Sequence, residues 1–150
     1  MGPAAAVFNT SVVLLGVFVL AAAYFLRKSF FPRTVWGTVV TGFFLLAGAG
    51  AVGVGIFTED AGVMHTVVSL VTFLFGALAA IATFTLVAPP LRYLSVVLGV
   101  VSLVALALFG AGAYAGLGKG GMERMIAYPI LLWAMGFGGY LMKASPPKSR

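Results

Sequence analysis

Between Val35 and Asp60 the chain reads VWGTVVTGFFLLAGAGAVGVGIFTED, an apolar run with no ionisable side chain until Glu59 and Asp60 close it. The hydrocarbon layer of a bilayer is about 30 Å thick and is crossed by about 20 helical residues, so a run of this length spans it once. Hydrocarbon offers the backbone no hydrogen-bond partners, and a single segment satisfies itself there only as a helix. The run lacks the apolar–polar alternation of a barrel strand.

Working outward, the same pattern recurs on both sides. Apolar spans are expected over residues 4–26, 35–57, 65–88, 91–117 and 125–142. They are closed in turn by Arg27-Lys28, Thr58-Glu59-Asp60, Pro89-Pro90, the Gly118-Lys119-Gly120-Gly121 stretch, and Lys143. This predicts an all-α, polytopic bundle of about five transmembrane helices: one transmembrane domain over residues 1–143, then a polar tail over 144–150. Pro89-Pro90 removes two backbone donors and disfavours helix in the residues before it, which predicts a hairpin turn at the membrane surface. Pro129 falls inside the fifth span and is expected to kink it.

Composition agrees. Hydrophobic residues make up 62% of the chain and charged residues 8%, with a mean hydropathy of +1.15; soluble domains carry about 45–50% and about 25%. So apolar a surface faces lipid. The 20 glycines fit that reading, because small residues let membrane helices approach closely. With no cysteine, disulfides, thiolate nucleophiles, Cys-held zinc and iron–sulfur clusters are excluded. One histidine excludes a haem held by two histidines of this chain. No cofactor is implied. The net charge of +6 lies in short clusters between spans, which marks topology and lipid headgroup contact, not nucleic-acid binding.

Orientation follows from Lys and Arg in alternate loops. Arg27, Lys28, Arg33, Arg92, Lys143, Lys148 and Arg150 fall on one side, Lys119 and Arg124 on the other. The richer side is expected to be cytoplasmic, placing the N-terminus outside and the C-terminus, with its tail, inside. The first span carries its charges after the apolar run and lacks a basic leader, so it reads as a span, not a cleaved signal peptide. Trp36 and Tyr93 near the inner surface, with Tyr114 and Tyr128 near the outer, form a plausible aromatic belt.

The polar residues are unevenly placed. Asn9, Glu59, Asp60, His65, Glu123 and Arg124 are all expected on the outer face, and they include every acidic residue and the only His and Asn. Asp60 stands where a helix N-cap would stand, and carboxylates suit a helix N-terminus. His65, in the first turns of the third helix, can pair with Glu59 or Glu123. Arg124 can pair with Asp60 or Glu59, or hold a lipid phosphate. Against this structural reading stands a site: His65 with the carboxylates could bind a divalent metal or act as a base toward a lipid headgroup. No metal centre is assigned, because a catalytic zinc commonly draws on more than one histidine. No catalytic residue is assigned either. In the second span Ala47, Ala51 and Gly55 recur every fourth residue, a close-packing seam thickened by Gly48 and Gly53. Ser95 and Ser102 can bond to their own helix backbone.

Phe8-Asn9 before an apolar helix, Gly55-Ile56-Phe57-Thr58-Glu59-Asp60 with His65 beyond it, and Gly121-Met122-Glu123-Arg124 before a Trp-containing last helix together resemble the DUF998 family. These are archaeal and bacterial membrane proteins of uncharacterised function. The resemblance implies a multi-pass membrane protein and covers nearly the whole chain. Thr58 stands where the family usually has Pro, and the chain looks like the family without the first of its six helices.

The expected function is a non-catalytic accessory or scaffold subunit of a cell-membrane complex, with membrane lipids, other subunits or a second copy as partners. Two alternatives remain. One is a lipid-binding or lipid-modifying protein using the extracytoplasmic cluster. The other is a small oligomeric transporter, though no span carries a central charge.

Overall fold

The computed structural model describes residues 3–31 and 33–143; the expected tail over 144–150 lies outside them. Every regular element described is helical. Helices α1 (Pro3–Ser29), α2 (Val35–Ile56), α3 (Val63–Ala82), α4 (Leu91–Gly110) and α5 (Gly118–Lys143) follow one another, with 3₁₀ turns at Glu59–Ala61 and Thr83–Thr85. Among the described residues, five helices are long and apolar enough to cross a membrane. Their outward faces stay apolar: Phe18 is 67% exposed, Phe25 62% and Leu132 59%. Water does not favour such a surface and hydrocarbon does.

The chain packs as two compact units, Met1–Phe75 and Gly76–Arg150, with the first part of α3 in one and the rest in the other. In the first unit α1 lies antiparallel to α2 on a seam of glycine. A Cβ placed on Gly16 would stand 2.6 Å from the Val52 nitrogen and 2.7 Å from the Gly48 oxygen; one on Gly55 would stand 2.6 Å from the Asn9 oxygen. Backbones this close admit only hydrogen at those positions. On its opposite face α2 offers Gly50 and Gly53 to Thr72 and Val68 of α3. Of the expected seam, Gly55 meets α1 and Ala51 is buried, while Ala47 is half-buried. Gly48 and Gly53 are both buried, and a Cβ there would stand 2.9 Å from Leu20 and 2.8 Å from Val68. Phe31 and Phe44, both buried, close the unit at 5.8 Å between ring centroids.

The second unit is joined differently. Three hydrogen bonds tie α5 to α4 and the chain just before it. The Ala88 N–H donates to the Tyr140 hydroxyl (3.2 Å), Trp133 Nε1–H to Ser95 Oγ (3.0 Å), and the Ser102 hydroxyl to the Ile126 carbonyl (2.8 Å). The three sites are one heptad apart on each strand of the pair, running in opposite directions, so they fall on one facing seam. Ser95 also donates to the Leu91 carbonyl at 2.8 Å, so its hydroxyl gives and accepts together. Ser102 thus bonds to the neighbouring helix, not to its own backbone as expected. Its acceptor lies one position beyond the Met125 carbonyl, the one that Pro129 deprives of a helical donor. α5 runs through Pro129 without a break.

Three boundaries differ most from the sequence expectation. α3 ends at Ala82, with a 3₁₀ turn over Thr83–Thr85 after it, and not at Ala88. α4 ends at Gly110, not Leu117, because Gly112 at φ 71 closes a C-terminal motif: Gly112 N–H bonds to the Phe109 carbonyl and Ala113 N–H to that of Leu108. Hydropathy counted Ala111–Leu117 as span; its glycines turn it into a loop, with Gly116 and Ala115 also at positive φ. α5 starts at Gly118 rather than Met125, since Lys119–Arg124 is polar yet still helical.

Gly16→Ala is expected to destabilise the protein by about 1–3 kcal/mol, as overpacking does. Gly42→Ala, whose Cβ would meet nothing within 4 Å, is expected to leave it unchanged or raise it. Denaturant titration in mild detergent, followed by circular dichroism, measures both.

Candidate functional site

The candidate cluster begins where α2 stops. The Phe57 N–H bonds back to the Gly53 carbonyl, and its φ of −90 with ψ of 87 turns the chain out of the helix. Thr58 is extended, and the 3₁₀ turn that follows is closed by Ala61 N–H to Thr58 O (2.8 Å) and Gly62 N–H to Glu59 O (3.1 Å). Gly62, at φ 57, then redirects the chain into α3. Asp60 therefore lies inside the 3₁₀ turn and is not the N-cap of α3, because the left-handed Gly62 intervenes. Glu59 and Asp60 are both exposed.

His65 ties this turn to the end of α2. Its Nδ1 lies 2.7 Å from the Phe57 carbonyl oxygen, across the whole turn. A carbonyl only accepts, so Nδ1 carries the hydrogen. In the neutral ring that leaves Nε2 as the acceptor. The histidine is half-buried, and at Nδ1 it serves the backbone and not a carboxylate. Asn9 belongs to the same unit and the same end of α2: it is half-buried on α1, with its carbonyl against Gly55.

Glu123 and Arg124 lie in the other unit, exposed on the first turns of α5, while Met122 and Ile126 on the same helix are buried. Of the six expected residues, Asn9, Glu59, Asp60 and His65 thus share one unit. Among the described residues no three His, Asp or Glu side chains gather as a metal site would require.

The sequence reading missed the heptad seam of Ala88, Ser95 and Ser102 with Tyr140, Trp133 and Ile126. The signal was present in the equal spacing of Ser95 to Ser102 and of Trp133 to Tyr140. It also read Arg27, Lys28 and Arg33 as marks of topology and headgroup contact, without bringing them together, whereas all three line one cavity.

Compared with known proteins, residues 1–139 match the family described as "Protein of unknown function (DUF998)". No curated protein and no solved structure matches the chain.

His65→Ala is expected to free the Phe57 carbonyl and loosen the turn over residues 58–62. Amide exchange there should quicken several-fold, while exchange within α4 and α5 is unchanged. Glu59→Gln, which leaves the histidine bond in place, should not reproduce the effect. Hydrogen exchange read by mass spectrometry compares the variants.

Proposed function

Since the chain belongs to the DUF998 family, a family without an assigned activity, we propose from its own residues that it is a non-catalytic accessory or scaffold subunit in a cell-membrane complex. The N-terminus lies outside and the C-terminus in the cytoplasm, as the uneven loop charges favour.

The observation that carries this reading is where the buried polarity has gone. Ser95, Ser102 and Trp133, all buried, are engaged with one another or with helix backbone. Among the described residues no buried side-chain nitrogen or oxygen lacks a partner. Buried polar groups in membranes that serve chemistry or transport face a cavity or a substrate path; these hold helices together. The wide apolar exterior supplies contact area for a neighbouring membrane helix as readily as for lipid.

A second reading draws on His65. With Nδ1 held by the Phe57 carbonyl, Nε2 is the ring nitrogen left to meet a polar lipid headgroup at the extracytoplasmic surface, in the segment that also carries the exposed Glu59 and Asp60. Lipid turnover lost in His65→Ala and Asp60→Ala variants that remain folded would favour it.

Native mass spectrometry after gentle extraction separates the readings. The accessory role predicts this chain in fixed stoichiometry with a second membrane polypeptide. A stable monomer that carries out lipid turnover alone would contradict it.

A further inference from the structure

In the first unit the end of α1 and the start of α2 enclose an open cavity of about 510 Å³ that brings Arg27, Lys28 and Arg33 together. Ala23 and Leu45 supply apolar wall. The volume lies within the range of ligand sites, about 300–1,000 Å³.

Three features distinguish it from a scatter of surface cations. First, the cations come from two sides of a short connection, Arg27 and Lys28 from the last turn of α1 and Arg33 from the segment before α2. Second, the position of Arg27 is fixed: its Nη2 donates to Thr38 Oγ1 at 3.1 Å, across to α2. Third, no carboxylate is among the lining residues, and the three acidic residues of the chain are Glu59, Asp60 and Glu123. Like charges gathered beside an apolar wall repel one another more strongly than in bulk water, and an anion among them relieves that repulsion.

We propose that this cavity binds a phosphate group, borne by an anionic phospholipid or by a soluble phosphate ester. A guanidinium presents its N–H groups in a planar fork that matches two phosphate oxygens, and an ammonium adds a point charge. Basic pockets between membrane helices recognise anionic headgroups by these means. Leu45, 45% exposed, continues the cavity onto the apolar outer surface, where the glycerol and first methylenes of a lipid would lie. The site is separate from the Glu59–His65 turn, which lies beyond the opposite end of α2.

The test uses the full chain in detergent, with retention of phosphatidylglycerol against phosphatidylcholine read by native mass spectrometry. The double variant Lys28→Gln/Arg33→Gln removes two exposed cations and should weaken phosphatidylglycerol retention about 10- to 30-fold, from the contribution of each basic residue to anionic-lipid binding. Lys119→Gln/Lys143→Gln removes the same charge elsewhere and should leave it unchanged. Leu45→Trp fills the cavity at constant charge and should also weaken retention. Displacement of the lipid by glycerol 1-phosphate would identify a soluble ester as the ligand; failure to displace it would identify the lipid. Equal losses in both charge variants, or wild-type retention in Lys28→Gln/Arg33→Gln or in Leu45→Trp, would overturn the proposal.

Discussion

Hydrocarbon donates and accepts no hydrogen bonds, so any polar group carried into it must find its partner within the protein. The second unit shows how narrowly this constrains the sequence. Trp133 brings an indole N–H into the buried seam, and only an acceptor from the facing helix can meet it there; Ser95 is that acceptor. The serine hydroxyl in turn needs somewhere to send its proton, and the Leu91 carbonyl takes it. Pro129 removes a donor from α5, and Ser102 supplies one from α4 a single position away. Each such bond contributes modestly, about 0.6 kcal/mol on average in membranes. Their value lies in register: a shift of α5 along α4 by one residue would strand the indole and part the Ser102 hydroxyl from its acceptor at once.

The first unit answers the same solvent by another route. Where apolar helices gain nothing from escaping water, close packing must hold them, and packing is best where backbones touch. Gly16, Gly48 and Gly55 place α1 against α2 with room for hydrogen only. Glycine inside a helix costs about 0.5–1 kcal/mol relative to alanine. The cost is offset by contacts that no larger residue permits. Gly50 and Gly53 do the same toward α3, so that α2, the most glycine-rich helix of this unit, is closely approached on two sides.

The helical class and the presence of five spans were legible from composition and from uncharged runs such as Val35–Phe57, because the length of a span is set by the bilayer and not by tertiary detail. Boundaries were less so. Ala111–Leu117 is as apolar as a helix, and only the positive φ of Gly112 and Gly116 makes it a loop; hydropathy carries no information on φ. The acidic turn was legible as a place, but not in its bonding. Asp60 looked like a cap because helix α3 was expected to follow it directly, and Gly62 was not weighed as a break. His65 was considered only against carboxylates, although a backbone carbonyl that has outrun its helix is as good an acceptor, and Phe57 offers one. The heptad pairing of Ser95 and Ser102 with α5 required knowing which faces meet, which no single helix reveals.

Polarity in this protein thus gathers at the ends of helices and in the seams between them, while the remaining faces are apolar and open. Val97 and Leu132 are 56% and 59% exposed in the structure, as accessible as many loop residues. If lipid is their solvent, exposure should not mean contact with water. The chain has no cysteine, so single replacements can be read without background. In native membranes, Ala61→Cys and Ala113→Cys should react with a water-soluble maleimide, and Val97→Cys and Leu132→Cys should not. Labelling of Val97→Cys and Leu132→Cys at the rate of the two loop positions would contradict the account at its root.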